Sequence, residues 1–212
     1  MSQIKNYYAG SNSSQGFYSL YDEALKGLDQ LYILKGGPGT GKSTLIRQVG
    51  ETLAEKGWTI EFLHCSSDNG SLDGVIVPSL KVGIVDGTAP HIVDPKYPGA
   101  VDRIVNLGDY RNDSLLLQHK EEIKKLTDSI AESFTNAYTT FAEAKSAHDD
   151  LEDIYLGAMD FQKADQVTAN LIEKIFPDTL ESDSNPVSKH LFFGAATPKG
   201  PVDYIDNLTD GL

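Results

Sequence analysis

The chain has 212 residues, of which 40% are hydrophobic and 23% charged, and its formal net charge is −13. This length provides one substantial hydrophobic core, and the composition is ordinary for a globular protein. The acidity is concentrated, because residues 113–185 carry six Lys and sixteen Asp or Glu. Since an acidic surface repels phosphate backbones and anionic lipids, nucleic acid is a disfavoured partner.

The N-terminal stretch and the cysteine content predict a cytoplasmic protein without a membrane span. MSQIKNYYAGSNSSQG, residues 1–16, is polar and lacks a signal-peptide core. No apolar run approaches the ~20 residues that cross a bilayer. Cys65 is the single cysteine, so no internal disulfide or cysteine-rich metal cluster is expected.

The first regular elements are a strand and a helix on either side of a glycine-rich stretch. The apolar run LYILK, residues 31–35, predicts a buried strand. Leu45, Val49 and Leu53 are spaced four apart and predict an amphipathic helix over residues 42–56.

The next elements are strands. Residues 58–64 predict a second strand, 65–74 a polar loop, and 75–86 one or two strands broken at Pro78. Residues 87–112 are rich in Gly, Pro and Asp and are expected to be mostly irregular. Strands that alternate with helices predict an α/β fold with a mostly parallel sheet covered by helices.

The second half of the chain predicts a long helical hairpin, inserted into or appended to the α/β domain. From about residue 114 to 155, apolar side chains recur every three or four positions and predict one long helix with an apolar seam. Gly157 is expected to end it, Asp160 to cap a second helix, and Pro177 to end that one. Either the seam packs on itself, or the hairpin acts as a lid or as an arm that docks a protein partner. A polar linker and a strand, HLFFGAA at 190–196, are expected to follow.

The sequence GGPGTGKST fits the pattern G-x-x-x-x-G-K-[ST] and follows a predicted strand, as a phosphate-binding P-loop does. Glycines let backbone N–H groups turn toward phosphate oxygens, and the helix N-terminus adds partial positive charge. Lys42 is expected to contact the β- and γ-phosphates, and the Ser43 hydroxyl to bind Mg²⁺. The expected nucleotide-binding residues are Gly36, Gly37, Pro38, Gly39, Thr40, Gly41, Lys42, Ser43 and Thr44.

Two acidic residues are candidates for the remaining chemistry. Asp86 ends the apolar strand VGIVD and is expected to hold Mg²⁺ through its water shell or to orient the attacking water; a turn-forming role before Gly87 is the alternative. Asp68 follows the second strand, where a kinase would bind its acceptor.

The histidines and arginines leave several roles open. His91, or comparably Thr88, is a candidate for sensing the γ-phosphate or orienting the attacking water, although a structural role is the commoner one for a histidine. His64 and Cys65 are expected to belong mainly to the core, with a place in the nucleotide site as the alternative, and neither is expected to form a metal cluster with the other histidines. Arg103 and Arg111 are candidate arginine fingers, in cis or across a homodimer.

The predicted hairpin contains no arginine, which argues against a nucleoside monophosphate kinase. No N-K-x-D motif for guanine is present, so ATP is the expected nucleotide.

Several segments together resemble a family of poorly characterised bacterial ATP-binding proteins that carry two P-loop ATPase halves in tandem. They are LKGGPGTGKST, EFLHCSSDN, SLDGV, VDGTAPH, PGAVDRIVNLG and GAATPKG. The resemblance covers nearly the whole chain and implies a three-layer P-loop NTPase fold with residues 36–44 as the nucleotide loop. The chain departs from the family because it contains a single P-loop.

An internal repeat bears on that departure. When residues 8–28 are laid on 192–212 without gaps, five of the 21 pairs are identical, among them Gly10 with Gly194 and Gly16 with Gly200. We hypothesise that the chain is the N-terminal half of a tandem protein and that a second P-loop follows in the parent gene. The alternative is that residues 194–200 close a complete domain.

The expected organisation is a nucleotide-binding core at 1–112, an acidic helical hairpin at 113–177, and a third segment at 178–212. That segment comprises a linker, a strand and the start of a second repeat. The expected function is Mg²⁺-dependent ATP binding and hydrolysis. The alternatives are a small-molecule or nucleotide kinase and a non-catalytic, ATP-gated module whose hairpin docks a partner.

Overall fold

The structure is a computed structural model that describes residues 3–176 and 188–210. The strands are β1 Ile4–Tyr7, β2 Gly10–Ser13, β3 Gly16–Ser19, β4 Gln30–Lys35, β5 Ile60–His64, β6 Leu72–Val77, β7 Val82–Asp86, β8 Asp102–Asn106, β9 Gly194–Thr197 and β10 Gly200–Asp203. The helices are α1 Tyr21–Ala24, α2 Lys42–Glu55, α3 Asp113–Gln118, α4 Lys120–Ala158, α5 Phe161–Ile175 and α6 Ile205–Thr209. Short 3₁₀ turns cover Pro78–Leu80 and Leu107–Tyr110.

The fold is mixed α/β, built on a six-stranded sheet in the order β1-β5-β6-β7-β4-β8. The β1–β5, β7–β4 and β4–β8 pairs are parallel, whereas β6 runs antiparallel to both β5 and β7. The sheet is therefore mixed, and the expectation of a mostly parallel sheet holds only outside β6. The reason is the length of the connections, because residues 65–71 and 78–81 are too few for the crossover of a dozen or more residues that a parallel pair requires.

Two boundaries expected from the sequence are wrong, and one strand was not predicted. The loop expected at 65–74 ends earlier, because Leu72 already belongs to β6, all of whose residues are buried. The strand expected at 190–196 begins only at Gly194 and forms a hairpin with β10. The region expected to be mostly irregular at 87–112 contains β8, which pairs with β4, a strand distant in sequence, at the edge of the sheet.

Each face of the sheet carries its own hydrophobic cluster. On one face, α2 packs through Ile46 against side chains of β4, β5 and β6, among them Leu34, Phe62 and Val75. The opposite cluster contains Tyr21 and Ala24 of α1 together with β-strand residues, and Leu208 of α6 packs at its margin. Gly50 lets α2 approach closely, because a Cβ there would lie 2.3 Å from the Phe62 ring. Burial of both faces holds the carboxyl end of β4 and the start of α2 in fixed relation.

The helical region departs from the expected single long helix in one respect, because His119 separates α3 from α4. Asp160 caps α5 as expected, its side chain accepting a hydrogen bond from the Lys163 N–H. Pro177 lies outside the described residues, and α5 ends at Ile175. Within the described residues, no side chain of α4 or α5 is fully buried. None of the described helices combines the length and the apolar character that crossing a membrane requires.

The head and the tail of the chain have the same local structure. The β9–β10 hairpin repeats β2–β3 at the same spacing, and the glycines that begin the second strands, Gly16 and Gly200, both have φ of 94°. The aligned residues Tyr8 and Phe192 exchange backbone hydrogen bonds of 2.9 and 3.0 Å with one another. The sequence repeat is therefore a structural repeat over the described residues; its last two pairs fall on residues 211–212, which lie outside them.

Candidate functional site

The glycine loop, residues 36–44, connects β4 to α2 as the sequence predicts. Gly36, Gly39 and Gly41 have φ of 156°, 76° and 85°, values that favour glycine. A Cβ at Gly36 would also lie 2.7 Å from the Thr40 hydroxyl oxygen, which donates a hydrogen bond to the Gly37 carbonyl. The loop is thus a tight turn. Its glycines permit the backbone conformation, and the hydrogen bond from Thr40 to Gly37 stabilises it.

Lys42 occupies the centre of this loop, although it carries a full charge. Its side chain is only 8% exposed. The ammonium donates hydrogen bonds to the carbonyls of Gly36 at 2.9 Å and Gly37 at 3.0 Å. It also lies 3.7 Å from Asp86 Oδ2. Because β4 and β7 are parallel neighbours, their carboxyl ends bring this lysine and this aspartate together.

Asp86 and Ser43, the residues expected to hold Mg²⁺, are both fixed by hydrogen bonds. Asp86 Oδ1 accepts from the backbone N–H of Thr88 at 2.9 Å and from its hydroxyl at 2.6 Å. Ser43 Oγ accepts from the Leu72 N–H of β6 at 2.8 Å. Asp86 therefore forms a turn with Thr88 through Oδ1, as the turn-forming alternative expects, and its Oδ2 lies 3.7 Å from the Lys42 ammonium.

The N-terminus of α2 has the properties of an anion-binding site. Its N-cap, Gly41, provides no side-chain hydrogen bond, and no acidic residue occupies the first turn. The backbone N–H groups of that turn have no intrahelical partner, and the helix dipole places partial positive charge there. A Cβ at Gly37, Gly39 or Gly41 would meet nothing within 4 Å, so space is open beside the loop. A phosphate group fits this combination of donors, charge and space.

His91 lies in a buried cluster rather than in an exposed cleft. Its Nε2 is 3.0 Å from Asp73 Oδ1, and its ring stacks on Tyr21 with centroids 5.5 Å apart. The Tyr21 hydroxyl donates to Asp73 Oδ2 at 3.0 Å. Burial by itself lowers the pKa of His91, but interactions with Asp73 and Cys65 raise it to about 10. Burial raises the pKa of the Cys65 thiol and, together with Asp73, that of Tyr21.

Asp68 and Arg103, two further residues that the sequence singled out, lie outside the glycine loop. Asp68 stabilises its own turn, accepting from the Gly70 N–H and the Ser71 hydroxyl, and these hydrogen bonds lower its pKa. Arg103 lies on β8, over the ring of Tyr32.

Arg111 lies nearer to the glycine loop. A Cβ at Gly108 would be 2.9 Å from its Nη1, and the Gly108 N–H lies 3.5 Å from the Cβ position of Gly36. Arg111 also forms an ion pair with Asp113. Arg111 thus lies beside Gly108, the residue that borders the first glycine of the loop.

Sequence reasoning missed Lys35 and Asp73. Lys35 ends β4, and its ammonium donates to the carbonyls of Gly87 and Val93 and to Asp94, which ties the β7–β8 loop to the glycine-loop strand. The only signal for Lys35 was its position one residue before the first loop glycine. Asp73 carried no sequence signal, because its role depends on an irregularity in strand pairing.

No family model, no curated protein and no solved structure matches this chain. What the site can do is therefore inferred from its own geometry.

Proposed function

We propose that this chain is a P-loop NTPase that binds ATP with Mg²⁺ and hydrolyses the γ-phosphate. The observation that carries the proposal is the position of Lys42. Its ammonium lies within hydrogen-bonding distance of two loop carbonyls and 3.7 Å from Asp86, at the N-terminus of an uncapped helix. A lysine in this place exchanges carbonyl oxygens for phosphate oxygens when a nucleotide binds.

Different residues of the site would bind the phosphates and the metal ion. The loop N–H groups and Lys42 would hold the phosphates, while Ser43 and Asp86 would hold the Mg²⁺ ion directly and through water. The ion, when bound, neutralises charge on the β- and γ-phosphate oxygens. Asp86 is kept in place by Thr88 and so needs little reorganisation on binding. Catalysis of this kind depends on positioning and charge rather than on a covalent intermediate.

The kinase alternative receives less support from the geometry. Asp68, its candidate acceptor residue, is exposed and already accepts two hydrogen bonds from its own turn. The binding-module alternative draws support from α4 and α5, on which large apolar side chains such as Ile154, Val167 and Ile175 are more than half exposed. ATP turnover distinguishes the three functions. An ATPase consumes ATP alone, a kinase consumes it only with an acceptor, and a binding module does not consume it.

The hairpin repeat supports the further proposal that the chain is one half of a tandem protein. In the first copy, α1 leads within a few residues to β4 and the glycine loop. In the second, α6 begins at the position that matches the start of α1. Sequencing the parent gene beyond residue 212 tests this: a strand and a second lysine-containing glycine loop are expected within about fifteen codons, as in the first copy.

The test of the proposed function compares Lys42→Ala with Lys56→Ala, which alters an exposed lysine just after the same helix. Titration calorimetry with Mg²⁺ and a non-hydrolysable ATP analogue should give ~10–100-fold weaker binding for Lys42→Ala, because a charged hydrogen bond contributes about 1.5–3 kcal/mol. Lys56→Ala should bind as the wild type does. Equal affinity of Lys42→Ala and wild type would overturn the proposal.

Asp86→Asn separates binding from hydrolysis. The amide keeps the shape and the hydrogen bond from Thr88 but removes the charge that holds the metal. Phosphate release should fall by ~100-fold or more while nucleotide affinity changes much less. If the wild type binds the analogue but consumes no ATP, with or without a cell metabolite extract, the hydrolysis part fails and the binding module remains.

A further inference from the structure

Cys65, Asp73 and His91 form a second polar cluster, separate in role from the glycine loop. The thiol sulfur, a carboxylate oxygen and a ring nitrogen all lie within 4.8 Å of one another. The three residues are 8%, 5% and 6% exposed, so the cluster is almost closed to solvent. Polar groups are rarely buried together without a reason in binding, catalysis or stability.

Three different elements supply these side chains. Cys65 directly follows β5, and His91 lies in the loop after β7. Asp73 is the residue left out of register between β5 and β6, because Leu63 pairs with Gly74 while His64 pairs with Leu72. An extra residue at such a bulge re-aims its side chain, which here reaches Tyr21 and His91.

The hydrogen bonding of the cluster is incomplete. His91 Nδ1 is buried and has no hydrogen-bond partner among the described residues, and the same holds for the hydroxyl oxygens of the neighbouring Ser66 and Ser67. Asp73, by contrast, is held firmly, because the Tyr21 hydroxyl binds Oδ2 and leaves Oδ1 facing the imidazole. Buried polar atoms without a partner are rare in folded proteins, so the incomplete hydrogen bonding indicates a place where a further group binds.

We propose that Cys65, Asp73 and His91 bind one divalent ion of the zinc class. A thiolate, an imidazole and a carboxylate are the donors that Zn²⁺ takes in proteins, and the thiolate disfavours Mg²⁺ and Ca²⁺. An ion held by all three replaces the direct hydrogen bond between His91 and Asp73. Tyr21 acts as the outer-shell partner that orients the carboxylate.

Metal ligands bind deprotonated, so the thiol of Cys65 must lose its proton as the ion enters. The rival explanation is a permanent ion pair between His91 and Asp73 that takes up no metal.

The test uses tag-free, nucleotide-free full-length protein from which metals have been removed with a chelator. Zn²⁺ is titrated against a chromophoric chelator, and Co²⁺ is added separately as a spectroscopic probe. We expect one ion per chain and a sulfur-to-cobalt charge-transfer band, which only Cys65 can provide because it is the single cysteine. Cys65→Ser should abolish the band and weaken Zn²⁺ binding by ~100-fold or more, since even outer-shell changes cost 10–100-fold.

The matched controls are His91→Gln and His148→Gln, because His148 is an exposed histidine on α4. The first should lose tight binding and the second should keep it. If Cys65→Ser or His91→Gln does not fold, the wild type alone decides, through the cobalt band and calorimetry in buffers of different ionisation enthalpy. Release of at least one proton per ion supports the site. No thiolate band, no proton release, or unchanged Zn²⁺ affinity in folded Cys65→Ser overturns it.

Discussion

His64 makes the stability of this fold sensitive to mild acid. The ring ends β5 and joins the head of the chain to its tail, with Nε2 2.9 Å from Asn6 Oδ1 and Nδ1 3.0 Å from the Tyr204 hydroxyl. In the neutral ring Nε2–H donates to Asn6 and Nδ1 accepts from Tyr204. Protonation of Nδ1 removes that acceptor, so the folded state prefers the neutral form.

The magnitude follows from the two pKa values. Burial, reinforced by the charge of Arg47, lowers the pKa of His64 from 6.5 to about 4. Above 6.5 both states are neutral and the folded state keeps its full stability. As the pH falls toward 4, the unfolded chain takes up a proton that the folded chain does not. The pKa difference between the folded and unfolded states corresponds to about 3 kcal/mol of folding stability at most. Water around the partly exposed ring reduces this loss to about 1–2 kcal/mol.

The assay is urea unfolding of the wild type and His64→Gln, followed by circular dichroism at several pH values between 6.5 and 4. Glutamine retains a donor and an acceptor but does not titrate. The wild type should lose about 1–2 kcal/mol more than His64→Gln over this range. His148→Gln, which changes an exposed histidine on α4, should behave as the wild type does. Parallel pH profiles for wild type and His64→Gln would refute the reasoning.

Two further predictions concern packing and a buried carboxylate. Gly50→Ala should destabilise the fold by about 1–3 kcal/mol in urea unfolding, because the new Cβ would lie 2.3 Å from the Phe62 ring. Gly157→Ala is the matched control on α4, where the Cβ meets nothing within 4 Å, and it should gain up to about 1 kcal/mol; equal effects would contradict this view of the core. Asp102→Ala should cost about 2 kcal/mol by the same measurement, since its carboxylate accepts from two backbone N–H groups of the preceding loop. An unchanged unfolding midpoint for Asp102→Ala would exclude that role.

The sequence predicted those features that neighbouring residues decide. The glycine spacing and the flanking apolar run located the glycine loop between β4 and α2, because tight turns and helix starts depend on local chemistry. Asp160 was recognisable as a cap for the same reason, and its side chain accepts from the first turn of α5. Asp86 was found because it ends an apolar strand, and the structure places it 3.7 Å from Lys42.

The sequence did not predict features that depend on pairing between distant segments. β8 was missed because its short polar sequence becomes a strand only beside β4, and β6 reverses the sheet because its connections are short.

The meeting of Cys65, Asp73 and His91 was hidden for a further reason. The cluster requires β5, β6 and β7 to lie side by side in the sheet. It also requires the bulge in β6 that directs the Asp73 side chain toward His91. Turns, helix caps and strand ends depend on neighbouring residues, so they can be predicted from the sequence. Register and strand order are set by the burial of whole faces, and they exist only once the chain has folded.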